Sequence, residues 1–200
     1  MTSKQRCDWV PTGDELYARY HDLEWGVPLH DDQKLFEILV LEGMQAGLSW
    51  RTILRKRDNF RKAFDGFDPR IVAAYGEQDL RRLLSDAGII RNRLKINSAI
   101  TNAKVFLQVQ REHRSFDSYI WALIGNRPIT NRWRRLKQIP AETEESRSIS
   151  KELVKKGFGF VGPTIIYSHM QATGMVNDHL VDCFRYKELV FRRRASRRFS

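Results

Sequence analysis

The sequence predicts an all-α protein. Three observations carry that reading: apolar residues recur at helical spacing along most of the chain, strict two-residue alternation is almost absent, and Gly, Pro and Asp punctuate the gaps. Leu35, Ile38 and Leu39 sit at i, i+3 and i+4, entered from the turn signal Asp31-Asp32 through Gln33-Lys34. Phe60, Phe64 and Phe67 mark a short helix, stopped by Asp68-Pro69 because the residue before proline avoids helical geometry. Leu80, Leu83 and Leu84 form a third stripe, with Gly88 expected as the left-handed residue that closes it. Ile96, Ile100, Ala103 and Leu107 continue a fourth, and residues 116–124 a fifth that ends before Gly125-Asn126. Residues 144–156 read as a helix ended by Gly157. Gly162-Pro163 opens the next, with proline at its first position, and Gly174 ends it. The polar stretch 126–145, with Pro128 and Pro140, is expected to be a long connector or mobile loop. No repeat of about 20–50 residues is visible, which argues against a solenoid.

A chain of 200 residues suits one domain, or two small lobes sharing a core. Its 11 Phe, 6 Tyr and 5 Trp exclude disorder, and no run approaches the ~20 apolar residues of a membrane helix. Residues 1–10 contain no apolar secretory core, so the expected address is the cytoplasm. The net charge of +11 points to a polyanionic partner, nucleic acid first. Part of that charge lies in the arginines between Arg192 and Arg198, but the rest of the chain is basic as well. The expected division is a domain over residues 1–186 and a basic, frayed tail over 187–200, in a monomer with no membrane partner.

Chemistry-bearing residues form three groups. The only cysteines, Cys7 and Cys183, lie near opposite ends, and a reducing cytoplasm disfavours a disulfide between them. His179 and Cys183 are four apart within residues 177–183, so on a helix they would share one face. His21 is the only histidine in the first 25 residues and the available partner for Cys7. Two thiolates and two imidazoles make a closed tetrahedral set of the structural zinc type; two buried thiols and two ordinary histidines fit the spacing as well. A metal there would join the chain ends and serve folding rather than catalysis, because no position is left for water.

The second group is aromatic. Trp9, Tyr17, Tyr20, Trp25 and Trp50 crowd the first quarter, as either a mini-core or a cleft for a planar base. Glu42 tilts the balance toward a cleft. It lies on the apolar stripe of Leu35 and Leu39, where a carboxylate must be paired, neutralised or kept for function. Beyond it, Gly43, Gly47, Leu48, Ser49 and Trp50 make a loop in which Leu48 suits an apolar wedge that fills the place of an extruded base. The third group is the turn at residues 86–95, leading into a helix start flanked by Arg91, Arg93 and Lys95. Free N–H groups with cationic side chains grip phosphate without reading sequence, and an ordinary helical hairpin with a solvated basic rim is the alternative.

Together these residues resemble the DNA-3-methyladenine glycosylase I family of the helix-hairpin-helix glycosylase superfamily. The carrying segments are Cys7-Asp8-Trp9-Val10, Tyr17 through His21-Asp22, Glu24-Trp25-Gly26-Val27-Pro28, and Leu41-Glu42-Gly43 with Gln45-Ala46-Gly47-Leu48-Ser49-Trp50. Asp86-Ala87-Gly88-Ile89-Ile90-Arg91, Lys156-Gly157-Phe158 and Asn177-Asp178-His179 complete them, so the resemblance spans about residues 7–186. It implies a helix-hairpin-helix glycosylase-like fold with one structural Zn2+ on Cys7, His21, His179 and Cys183, joining the N- and C-terminal segments. It implies monofunctional excision of 3-methyladenine from double-stranded DNA by base flipping, with Trp9, Tyr17 and Trp50 binding the base and Glu42 and Tyr20 catalytic. Leu48, Gly88, Arg91, Arg93 and Lys95 would hold the DNA. Met44 stands where the family pattern has glutamine, beside the expected pocket, and the hairpin has Gly88 where many members of the superfamily have two glycines. The superfamily's catalytic aspartate has no obvious counterpart. A 3-methylated adenine is cationic and leaves as a neutral base, so one carboxylate suffices where sugar hydrolysis usually uses two. Two rival readings are a lesion binder that releases no base and a zinc hydrolase using His21 and His179.

Overall fold

A computed structural model describes residues 4–196, where the expected helices are present. They are α1 (Glu15–Leu23), α2 (Asp32–Gln45), α3 (Trp50–Ala63), α4 (Pro69–Ala73), α5 (Glu77–Ser85), α6 (Arg93–His113), α7 (Phe116–Ala122), α8 (Glu144–Lys156), α9 (Pro163–Ala172) and α10 (Phe184–Ser196). The only strands among the described residues are the two-residue β1 (Ile129–Thr130) and β2 (Val176–Asn177), paired in parallel with Ile129 opposite Val176. No helix there is long and apolar enough to cross a membrane.

Helix α2 is the axis of the fold. Asp31 caps it by accepting from the Lys34 N–H, and every residue from Leu35 to Met44 is buried. A helix apolar on most of its circumference must be surrounded, and α3, α6, α7 and α9 all pack on it. Phe36, Phe60, Phe64, Phe106 and Phe116 fill the resulting core. The same enclosure carries Glu42 inside.

Several boundaries differ from the sequence reading. Phe60 belongs to a long α3 that already starts at Trp50, and Phe67 lies in a separate 3-10 turn, 65–67. The break comes from positive φ at Asp65, Gly66 and Phe67, not from Pro69 alone, while Asp68 caps α4. Helix α5 stops at Ser85, capped by Asp86, so Gly88 is not its closing residue. Gly88 serves close packing instead: a Cβ there would stand 2.9 Å from Asp86 Oδ1 and 3.2 Å from Asn59 Cβ. Gly174 does follow α9 with φ +68, and a Cβ on it would collide with the Val27–Pro28 backbone.

Residues 126–145 are not a loose loop. They contain β1 and a 3-10 turn (Leu136–Gln138), and Ile139 packs against both apolar clusters of the protein. The expected boundary at residue 186 is also absent. Helix α10 runs through it, held by the buried Leu189 against Gly26, so residues 187–196 are helical rather than frayed. The remainder of the expected tail, 197–200, lies outside the described residues.

Candidate active site

Helices α1, α2, α3 and α9 enclose a cavity of about 220 Å3 lined by Trp9, Tyr17, Tyr20, Trp25, Glu42, Gln45, Trp50, Ile139, Ser168 and Gln171. That volume falls below the roughly 300–1,000 Å3 of drug-sized pockets and suits one small planar ring system. All five residues expected to make the base site, Trp9, Tyr17, Tyr20, Glu42 and Trp50, are in its wall. Tyr20 and Trp50 have ring centroids 5.5 Å apart, tilted by 47°, while Trp9 meets Tyr17 edge-on at 5.2 Å. The Trp50 indole N–H is buried with no protein partner.

Glu42 is the only carboxylate of the lining, and no group among the described residues hydrogen-bonds to it. Burial alone pushes its carboxyl up to about 8. Burial, and then the neighbouring Glu42, also push the Tyr20 phenol well above its ordinary value, so Tyr20 stays a hydrogen-bond donor. Buried in the main core, Met44 is absent from the cavity wall; its neighbour Gln45, one turn beyond Glu42, lines the cavity instead. Trp25, part of the aromatic group read from the sequence, is in the wall too, and Gln45, Ile139, Ser168 and Gln171 extend the site beyond that group. The i+3 spacing from Glu42 identifies Gln45. No local pattern identifies Ser168 and Gln171, which arrive from α9.

Leu48 is 43% exposed on the short loop between α2 and α3, two residues before Trp50 in the cavity wall. Gly88 and Arg91 lie on the turn between α5 and α6 and Arg93 opens α6, with both arginines exposed and Asn92 capping the helix. Lys95 corrects the sequence reading. Its ammonium is buried and donates to the carbonyls of Met44 (2.9 Å) and Ala46 (2.6 Å), the free acceptors at the end of α2. It ties the α6 start to the Leu48 loop rather than facing phosphate. Replacing Lys95 by Met is therefore expected to cost about 1–3 kcal/mol of stability in urea unfolding, with the salt dependence of binding to a polyanion unchanged. Replacing Arg91 by Ala should instead flatten the slope of log K against log salt by about one and leave stability intact.

Cys7, His21, His179 and Cys183 form one buried cluster, with their ligand atoms all within 4.8 Å of one another. Cys183 Sγ lies 3.5 Å from His21 Nε2 and 3.6 Å from His179 Nδ1, and Cys7 Sγ lies 3.5 Å from His179 Nδ1. The remaining ring nitrogens are already engaged. His21 Nδ1 pairs with Asp22 at 2.8 Å, itself gripped by Arg6, and His179 Nε2 meets the Trp25 carbonyl at 3.0 Å. Outer partners of this kind fix ring orientation in metal sites. The Leu180 N–H donates to Cys7 Sγ. The hydrogen bond with Cys7 and the two imidazoles hold the Cys183 thiol far below its ordinary value, and the shared proton and burial push Cys7 up.

The segment carrying His179 and Cys183 is not helical. It leaves β2 as a turn, because Cys7 Sγ takes the Leu180 N–H and the Trp133 carbonyl takes the Val181 N–H, and α10 starts only at Phe184. The cysteine–histidine cluster and the cavity share walls: Trp9 meets the His21 ring at 5.2 Å and Trp25 meets the His179 ring at 4.7 Å.

Comparison with known proteins agrees with this geometry. A protein-family model described as methyladenine glycosylase matches residues 9–186. DNA-3-methyladenine glycosylase 1 of Escherichia coli (strain K12) is 50% identical over 182 residues, which is 91% of this chain and 97% of that protein. A crystal structure of 3-methyladenine DNA glycosylase I superposes with a TM-score of 0.87 at 50% identity, covering 90% of this chain and 98% of the other. The Staphylococcus aureus enzyme, from a structure described as the structural basis of 3-methyladenine recognition, gives 0.84 at 34% identity, covering 86% and 92%.

Proposed function

The chain belongs to the methyladenine glycosylase family, and from that premise we infer that it hydrolyses the N-glycosidic bond of 3-methyladenine in alkylated DNA, as a base-excision repair enzyme. The observation that carries this reading is Glu42, a buried carboxyl without a protein partner inside an aromatic cavity. A cationic purine turned out of the duplex supplies the opposite charge that this carboxyl lacks. Its arrival favours the carboxylate form of Glu42, which then accepts from the polar edge of the base. Tyr20 assists orientation, Trp9 and Tyr17 wall the ring in, and Trp50 stacks on the cationic face for about 0.5–2 kcal/mol. The bond between the purine and C1′ breaks with its electron pair going to the base, which leaves neutral. Water adds at C1′ and gives its proton to solvent. No covalent enzyme intermediate is required, so the activity is monofunctional.

Double-stranded DNA is the expected partner, with the α5–α6 turn acting as a helix-hairpin-helix element. Gly88, Arg91 and Arg93 would face the phosphates and Leu48 the gap in the stack. The cysteine–histidine cluster fits one structural Zn2+: a borderline-soft ion suits two thiolates and two imidazoles, and four protein donors leave no position for a hydrolytic water. Two buried cysteines without a disulfide suit the reducing cytoplasm, the compartment expected for the protein. Incubation with methylated duplex DNA tests the assignment. Free 3-methyladenine is expected in the supernatant, and tight lesion binding without release would make the protein a damage binder instead.

A further inference from the structure

Asp178 is fully enclosed, and four donors converge on it. Its Oδ1 accepts from Asn131 Nδ2 at 2.7 Å and from Trp133 Nε1 at 2.8 Å. Its Oδ2 accepts from the Tyr167 hydroxyl and from Gln171 Nε2 at 2.8 Å. Of these partners, Gln171 alone lines the base cavity together with Glu42. A carboxylate offers only acceptors, so the amide nitrogen of Gln171 must face it and the amide cannot be turned round. The backbone is fixed too, because the Gln171 carbonyl accepts from the Gly26 N–H at 2.9 Å. What remains is Oε1, which no group among the described residues hydrogen-bonds.

We propose that Gln171 Oε1 is a specificity-determining acceptor for the exocyclic amino group of the excised adenine, and that Asp178 is the positioning residue that keeps this oxygen, not the amide nitrogen, turned to the base. The inference rests on the glycosylase reading and deepens it. Adenine carries an amino donor at position 6, where guanine carries a carbonyl oxygen. An oriented acceptor therefore attracts the first and repels the second, whereas aromatic stacking and cationic charge treat both lesions alike. An amide free to rotate would serve either purine, which is why the four-donor clamp on Asp178 matters for selectivity.

The test is single-turnover release from duplexes containing either 3-methyladenine or 3-methylguanine, comparing the parent with Gln171→Met and Asp178→Asn. The ratio of the two rates is expected to fall about tenfold in both variants. Partial unfolding scales both rates equally and cannot move the ratio, so a merely structural role is distinguished. An unchanged ratio in Gln171→Met overturns the proposal, and that variant keeps the test decisive if Asp178→Asn does not fold. A lowered ratio in Gln171→Met with an unchanged one in a folded Asp178→Asn leaves the acceptor and removes the positioning role. A parent that releases neither base overturns the glycosylase reading and this inference with it.

Discussion

Replacing Glu42 by Gln is expected to lower excision of 3-methyladenine by about 100-fold or more, the size of effect that follows when an oriented charge-stabilising group is removed from a dry site. The same substitution should make the protein more stable at alkaline pH. Burial raises the Glu42 carboxyl from an ordinary 4.5 to about 8 in the folded protein. As pH rises between those values the unfolded chain releases this proton first, so the folded state binds more protons and loses stability. The loss begins near pH 4.5, is complete above pH 8, and amounts to something on the order of 5 kcal/mol. Glutamine cannot ionise. Urea unfolding at pH 5 and pH 9 should therefore show a pH-dependent decline in the parent that is largely missing from Glu42→Gln. Parallel pH profiles, or excision retained in the variant, would remove Glu42 from the centre of the site. The two halves of the expectation belong together: a residue kept at a cost to the fold is kept for what it does to the ligand.

Glu42 is legible in the sequence because its stripe is. Helix α2 is apolar at i, i+3 and i+4, and a carboxylate on such a face is conspicuous from spacing alone. The convergence of Cys7, His21, His179 and Cys183 is legible for another reason, since two cysteines and one early histidine leave few combinations. The route to that cluster is not. His179 and Cys183 have helical spacing but occupy a turn, because Cys7, 173 residues from Leu180, and Trp133 on the 126–145 connector capture the N–H groups a helix would need. Lys95 reads locally as one more cation at a basic helix start, and only the arrival of the α2 end beside it turns it into a strut. The roles of Gln171 and Asp178 are illegible for the same reason. Their chemistry arises where α9 and the 126–145 connector meet the segment after β2, and nothing in local periodicity reports which polar side chain a distant wall will present. The arginine-rich C-terminal segment illustrates the converse error: charge suggests fraying, yet the buried Leu189 is enough to seat α10 against Gly26.

Replacing Cys183 by Ser is expected to destabilise the protein by about 3–5 kcal/mol, the range that applies when a covalent or metal link between distant parts of a small chain is removed. The cluster joins residue 7 to residue 183, so without it the unfolded chain regains the freedom of almost its whole length. Metal analysis should find one zinc per parent chain and none in the variant. A strong chelator should bring the parent's melting temperature down to that of Cys183→Ser and leave the variant's unchanged. Turnover is expected to behave differently. Below the melting transition, excision per folded molecule should fall less than about tenfold, because the four side chains stand behind the aromatic wall of the base cavity and are not part of its lining. Equal melting temperatures with and without chelator would show that the four side chains hold no metal. Normal stability with abolished excision would move the ion from the fold to the reaction and leave the one-carboxylate scheme insufficient. The expectation follows from the donors themselves: if two thiolates and two imidazoles fill a tetrahedral ion, with both rings oriented by outer hydrogen bonds, nothing is left to offer a substrate.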